Sequence, residues 1–131
     1  VMLCALMDRA LPLPYRLTGA PRPDKPVLLT VPHAGRVYPP DLDRWARVPR
    51  DVLERLEDRH VDALAGIAAD QGFTVLAATI ARAYIDLNRS EDEWDSQLVA
   101  DDRPRIAPAH RVRAGLGLVP RRLMPEGELW L

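Results

Sequence analysis

The chain has 131 residues, a length that corresponds to one domain with room for a buried core. Its 47% hydrophobic and 28% charged residues are typical of soluble globular proteins. The 18 basic and 19 acidic residues leave a net charge of −1, which excludes binding to nucleic acid or to a membrane surface through bulk positive charge. The single cysteine, Cys4, excludes an internal disulfide and favours a reducing, cytoplasmic compartment.

Residues 1–25 are predicted to form an arm, because four prolines in this stretch forbid a long helix. Residues 1–7 are apolar, but the run is too short to span a bilayer and lacks the basic start of a signal peptide. Tyr15 and Leu17 are the side chains that we expect to pack this arm onto the domain.

A buried strand is predicted over residues 27–31, because this run is apolar and rich in β-branched residues. Pro32 ends the strand, His33 follows at once, and Gly35 allows a sharp turn. Open α/β sheets place ligands just beyond the carboxyl ends of their strands. His33 is therefore a candidate for binding a metal or a reacting group; the alternative is a loop histidine that merely follows a strand.

After a proline-punctuated loop at 36–50, a helix is predicted from about residue 49 to about residue 70, with Gly72 as its stop signal. On this helix Glu57 and His60 fall near the apolar stripe, whereas Asp58 and Asp62 lie toward its far side. These two acids could line a cleft beside the loop that carries His33. The alternative is a solvated, charged helix face. The predicted inward stripe consists of Leu53, Leu56, Leu64, Ile67 and Ala68.

Further strands are predicted over residues 73–78 and 83–89. The order strand, helix, strand predicts a crossover in which the first two strands are parallel. An acidic stretch at 90–102 and a basic one at 103–113 follow, and residues 115–120 are expected to be a short strand or a glycine turn. The chain closes on Leu129, Trp130 and Leu131, which are expected to be exposed.

Three groups of polar residues are brought toward one another by this arrangement. They are His33, the acids on the helix, and the segment Asp86-Leu87-Asn88-Arg89 at the end of the third predicted strand. Histidine with carboxylate is a partial ligand set for Zn²⁺. Adjacent Asn and Arg suit a substrate carboxylate, because guanidinium binds it in bidentate fashion. The alternative for Asn88 and Arg89 is a turn with an exposed arginine.

Taken together, these motifs resemble those of the N-formylglutamate amidohydrolase family over about residues 11–131. The segment at 86–89 is also similar to that of the aspartoacylase and succinylglutamate desuccinylase group, zinc hydrolases related to metallocarboxypeptidases. The resemblance rests on Val-Pro-His-Ala-Gly-Arg at 31–36 with Tyr-Pro at 38–39, Leu-Glu-Asp-Arg-His-Val-Asp-Ala-Leu at 56–64, Ala-Arg-Ala-Tyr-Ile-Asp-Leu-Asn-Arg at 81–89 and Gly-Leu-Gly-Leu-Val-Pro-Arg at 115–121.

The resemblance implies a three-layer α/β/α sandwich of the phosphorylase/hydrolase type. It implies hydrolysis of N-formyl-L-glutamate, or another small N-acyl derivative of an acidic amino acid, as in histidine degradation. His33 would be a zinc ligand, with Asp58 as the second ligand and Glu57 as its rival. Arg89 would hold a substrate carboxylate, assisted by Asn88 and Arg82. The zinc carboxypeptidases have a glutamate ligand three residues after this histidine, where this chain has Arg36.

Family members are longer, and their later half carries a further histidine and the general base. We therefore expect this single domain to be an amino-terminal portion that completes its site with a missing segment or another copy. His110, in a proline-rich stretch, is not expected to be a ligand. Two other interpretations remain open: a non-catalytic module that binds a carboxylate without a full metal site, and a fragment that oligomerises through an exposed sheet edge.

Overall fold

The protein is described here by a computed structural model, which covers residues 12–98 and 110–131. Cys4, the apolar opening at 1–7 and most of the basic stretch at 103–113 lie outside these residues. No helix in the described ranges is long and apolar enough to cross a membrane. The elements in chain order are β1 (Tyr15–Thr18), β2 (Leu28–Val31), α1 (Leu42–Trp45), α2 (Arg50–Glu54), α3 (Val61–Asp70), β3 (Thr74–Ala78), α4 (His110–Arg113), β4 (Arg122–Leu123) and β5 (Gly127–Glu128).

Strand β3 is the centre of a three-stranded sheet with the order β1-β3-β2. The prediction that the first two strands of the crossover are parallel is confirmed, since β2 pairs with β3 in parallel and α3 connects them. Part of the predicted arm is instead strand β1, which pairs antiparallel with β3. Tyr15 and Leu17 remain about half exposed, so pairing of the backbone holds this segment more than side-chain packing does.

Helix α3 packs on the sheet through alanines rather than through its larger side chains. Ala65 and Ala69 contact a small cluster of buried residues from β2 and β3, which includes Val31 and Val75. The predicted inward stripe is wrong in this part of the chain, because Leu64 is 66% and Ile67 57% exposed. Small residues allow the helix to approach the sheet closely, and the larger ones then face away from it.

The predicted continuous helix over 49–70 is wrong, since residues 55–60 separate α2 from α3. His60 has φ 70°, in the left-handed region, which is incompatible with a helix interior. It is exposed, and not near an apolar stripe as expected. The Asp58 backbone N–H donates to the His33 carbonyl, so tertiary contacts replace helical hydrogen bonds here. The predicted stop is confirmed, because α3 ends at Asp70 and Gly72 has φ 85°.

A second core lies under the carboxyl end of the described chain. Leu129 and Trp130 are buried there, and only Leu131 is exposed, so the expectation that all three are exposed is wrong for two of them. The Trp130 indole N–H donates to the Pro120 carbonyl at 2.7 Å, which pairs its polar atom. The buried members of this core are Leu42, Leu53, Leu56, Ala83, Leu129 and Trp130.

The third predicted strand, over 83–89, is absent from the described fold, where these residues form turns. Just before them, Ile80 makes a single parallel bridge with Val37, and this extends the sheet by one pair only. For residues 115–120 the glycine turn is the alternative that applies, since Gly115 has φ 80° and the only pairing is one bridge between Leu116 and Pro120. The described part of the chain is thus a mixed α/β fold.

Candidate active site

His33 lies in the turn that follows β2, where it is 8% exposed. The turn is clamped to the chain after β3, because the Val37 N–H donates to the Thr79 carbonyl and the Ala81 N–H donates to the Val37 carbonyl, at 2.8 and 2.9 Å. Gly35 makes this approach possible, since a Cβ there would lie 1.9 Å from the Ile80 carbonyl oxygen. The close contact brings His33 beside the segment that carries Asp86.

Asp86 is completely buried and connects the polar residues of the site. One carboxylate oxygen lies 2.8 Å from His33 Nε2 and accepts the Asn88 backbone N–H at 2.9 Å; the other accepts Arg82 Nε at 3.0 Å. Burial alone would raise the pKa of Asp86, but the hydrogen bonds from His33 and Asn88 and the charge of Arg82 outweigh it and hold the pKa below its ordinary value. Asp86 is therefore an ionised acceptor.

The contact with Asp86 determines what the other imidazole nitrogen can do. If a neutral His33 donates from Nε2 to Asp86, its Nδ1 carries a lone pair. This Nδ1 lies 3.2 Å from Asp58 Oδ2, which is also an acceptor when ionised. Two acceptors at this distance need a proton or a cation between them.

The structure brings Asp58, and not Glu57, to His33. The Asp58 side chain is 52% exposed, whereas that of Glu57 is 1% exposed and accepts hydrogen bonds from Tyr38 and Arg59. Burial and the hydrogen bond to Glu57 raise the pKa of Tyr38, so this phenol stays a donor. Asp62 accepts Arg36 Nη2 at 3.1 Å, so both Asp58 and Asp62 contact the segment that carries His33.

The two arginines predicted to bind substrate are held differently. Arg82 uses Nε for Asp86, and its two terminal nitrogens have no hydrogen bond or ion pair within residues 12–98 and 110–131. Arg89 is 6% exposed, donates to the carbonyls of Leu116 and Asn88, and has Nη2 3.6 Å from Asp86. Among the described residues, the terminal nitrogens of Arg82 are thus left for a bidentate partner, whereas Arg89 mainly stabilises the turn.

Known proteins match this chain in sequence and in fold. A sequence model of the N-formylglutamate amidohydrolase family matches residues 25–131. This chain belongs to that family. An N-formylglutamate deformylase of Pseudomonas putida is 35% identical over 104 residues, which are 79% of this chain and 37% of that protein. The crystal structure of an N-formylglutamate amidohydrolase from Ralstonia eutropha aligns with a TM-score of 0.76 at 34% identity, over 89% of this chain and 41% of that one.

The present chain therefore spans about two fifths of the length of these two N-formylglutamate amidohydrolase relatives. Among its described residues, no three His, Cys, Asp or Glu side chains converge as a ligand set for a metal ion. His110, at the start of α4, is exposed, and within the described residues no hydrogen bond or ion pair joins its side chain to His33, Asp58 or Asp86. The metal-compatible group in this part of the family fold is the pair formed by His33 and Asp58.

This pair fits the chemistry of a zinc site. Two ligands that each lie about 2.1 Å from a tetrahedral Zn²⁺ are separated by roughly 3.4 Å, close to the 3.2 Å spacing of the pair. Histidines that bind metal commonly donate the other ring N–H to a carboxylate, and Asp86 occupies that position for His33.

Sequence reasoning included Asp86 in a motif but assigned it no role. Two signals were available: a carboxylate within an otherwise apolar run, and its placement four residues after Arg82 and three before Arg89. These two signals indicate a role for Asp86 only in combination with the turns that surround its buried carboxylate.

Proposed function

We propose that this chain is part of a zinc-dependent amidohydrolase that removes the formyl group from N-formyl-L-glutamate. The observation that carries the proposal is the 3.2 Å separation between His33 Nδ1 and Asp58 Oδ2, which face each other near the guanidinium of Arg82. It is supported by the names of the two relatives, each of which refers to N-formylglutamate. A role in histidine degradation and a cytoplasmic location belong to the same proposal.

The products would be formate and glutamate, formed when water adds its oxygen to the formyl carbon and the C–N bond breaks. A bound Zn²⁺ would polarise the formyl carbonyl and activate this water. His33 and Asp58 would hold the ion. Asp86 would keep the imidazole in the tautomer that leaves Nδ1 free, and would fix the ring plane.

The acidic part of the substrate would be bound by the arginine and asparagine side chains. The terminal nitrogens of Arg82 offer two parallel N–H donors to a carboxylate, and Arg89, with Asn88 beside it, is the second candidate. An acidic amino acid that carries a small N-acyl group other than formyl would bind to the same arginine and asparagine side chains through its carboxylate.

The complete protein would be longer than the present chain and would supply further ligands and a general base. The three-layer α/β/α sandwich would then be completed by that additional segment or by another copy of the chain. Half-exposed apolar residues on the described sheet, including Leu17 and Leu28, support such a covering layer.

Zinc binding tests the proposal directly. We expect the 131-residue chain to bind one Zn²⁺, measured by competition with a chromophoric chelator, and the binding to be lost in His33→Ala and Asp58→Asn. His110→Ala is the matched control, since His110 is exposed and outside the site. A chain that binds no zinc would contradict the assignment of His33 and Asp58 as a zinc-binding pair.

A non-catalytic carboxylate-binding module is the second candidate, and the free edge of Arg82 favours it as well. This alternative predicts binding of N-formyl-L-glutamate without zinc and with no release of formate. Calorimetric titration with N-formyl-L-glutamate and an assay for formate, each in the presence and absence of chelator, distinguish the two candidates. An enzyme of the proposed class releases formate only when zinc is present.

A further inference from the structure

The carboxylate of Glu57 is buried next to a residue of the proposed metal site. Its side chain is 1% exposed, and it accepts the Tyr38 hydroxyl at 2.6 Å and Arg59 Nε at 3.0 Å. A buried charge is costly, and a well-packed apolar side chain in its place is often as stable or more stable. Leu56, which precedes it, is such an apolar residue in the same core. Core formation alone therefore gives no reason for a carboxylate here.

Tyr38 is a rigid partner for this carboxylate. The residue before it, Val37, is hydrogen-bonded on both sides to the chain after β3. The Tyr38 ring packs against the second core, and the guanidinium of Arg50 lies 3.9 Å from its centre. Both the backbone and the ring are thus fixed, so the hydroxyl has a defined position.

In the connection over residues 55–60, backbone hydrogen bonds to the third preceding residue extend only as far as Glu57, so Asp58 lies beyond this ladder. Besides the contact between His33 Nδ1 and Asp58 Oδ2, two hydrogen bonds tie the connection to the segment that begins at His33. One joins the Asp58 N–H to the His33 carbonyl at 3.0 Å, and the other joins the Glu57 carboxylate to Tyr38. These bonds lie on adjacent residues and connect the same two segments, one with each candidate metal ligand.

We infer that Tyr38 and Glu57 are positioning residues that set the separation between His33 Nδ1 and Asp58 Oδ2. The inference rests on the proposed zinc site, and it assigns to this hydrogen bond a role in metal affinity. The Asp58 side chain is half exposed, so packing does not fix it. Loss of the Tyr38 hydroxyl would leave only the backbone bond and allow the carboxylate to move away from the imidazole.

The test compares Tyr38→Phe with Tyr84→Phe in the full 131-residue chain. Tyr84 packs on the same core as Tyr38, so its variant controls for loss of a phenol hydroxyl near this core. We expect Tyr38→Phe to weaken zinc binding about tenfold or more, the usual effect of removing a partner that orients a ligand, and Tyr84→Phe to leave it unchanged. Zinc affinity is measured by chelator competition, and thermal unfolding is measured without metal.

A second pair of variants separates positioning from packing. Glu57→Gln keeps an acceptor for Tyr38 and is expected to retain most of the zinc affinity, whereas Glu57→Ala is expected to lose it. Adding Tyr38→Phe to Glu57→Ala should cause little further loss, because both changes remove the same hydrogen bond.

Two outcomes would overturn the inference in different ways. If the unchanged chain binds zinc and Tyr38→Phe binds it equally well, Tyr38 is merely structural and the zinc proposal stands. If the unchanged chain binds no zinc, His33 and Asp58 are not a zinc-binding pair in this chain, and this inference fails with that assignment.

Discussion

Asp86 is the residue on which the arrangement of the candidate site depends. Its two oxygens are shared among the imidazole of His33, the guanidinium of Arg82 and the backbone N–H of Asn88. Full burial makes these contacts obligatory, because an unpaired carboxylate in this position would be strongly destabilising. Asp86 therefore couples the proposed metal ligand to the proposed carboxylate-binding group.

The difference between the two arginines leads to a prediction at this scale. Arg82→Lys is expected to weaken binding of N-formyl-L-glutamate by about 10-fold or more, because lysine cannot form a bidentate pair. Arg89→Lys is expected mainly to lower the free energy of unfolding, by about 1–3 kcal/mol, because two carbonyls lose their donor. Calorimetric titration and urea unfolding measure the two effects.

The opposite result would restore the assignment made from the sequence. If Arg89→Lys abolishes binding at unchanged stability while Arg82→Lys binds normally, then Arg89 is the main carboxylate-binding residue.

At the scale of elements, the site depends on connections rather than on helices or strands. His33 lies in the turn after β2, Asp58 in the connection between α2 and α3, and Asp86 in the turns after β3. The first and third of these connections are held together by the contact between Gly35 and Ile80. Any side chain at Gly35 would push them apart.

Two glycine variants test this contact. Gly35→Ala is expected to destabilise the fold by more than about 3 kcal/mol, because the added methyl group would overlap the Ile80 carbonyl and neither segment can move freely. Gly66→Ala is the matched control: Gly66 lies in α3 with open space around it, and alanine should stabilise it by about 0.5–1 kcal/mol. Urea unfolding measures both, and equal stability of the two variants would contradict the contact.

At the scale of the molecule, the described chain has two small cores and incompletely covered apolar surfaces. Leu17 and Leu28 of the sheet are about half exposed, and Leu64 and Ile67 of α3 are more so. Such surfaces are consistent with a chain that spans about two fifths of the length of its relatives. The carboxyl-terminal residues Leu129 and Trp130, in contrast, are already buried within this chain.

A pair of leucine variants measures how far these surfaces are covered. Leu53→Ala is expected to cost about 2–5 kcal/mol of unfolding free energy, since Leu53 is fully buried. Leu64→Ala is expected to change it by no more than about 0.5 kcal/mol, as for other exposed positions. Equal losses would mean that another layer covers α3 in solution. Light scattering during size-exclusion chromatography then shows whether that layer is a second copy.

The sequence by itself determined the family, the parallel pair β2 and β3, and the position of His33 at a strand end. These depend on local signals: an apolar β-branched run, a proline that ends it, and a glycine that stops α3. Hydrophobic periodicity and composition are sufficient to predict these features, because interactions between residues close in sequence determine them. The sequence also predicts that the motif around Asp58 and the segment from Arg82 to Arg89 belong to one site.

Only the tertiary structure decided how that site is built. The helical period continues through residues 55–60, but the buried Glu57 and the bond from Asp58 to the His33 carbonyl break the helix. The run at 83–89 has strand composition, yet turns form around the buried Asp86, which contacts His33 from 53 residues away along the chain. Both outcomes depend on partners that are more than 15 residues away along the chain, and local periodicity carries no information about them.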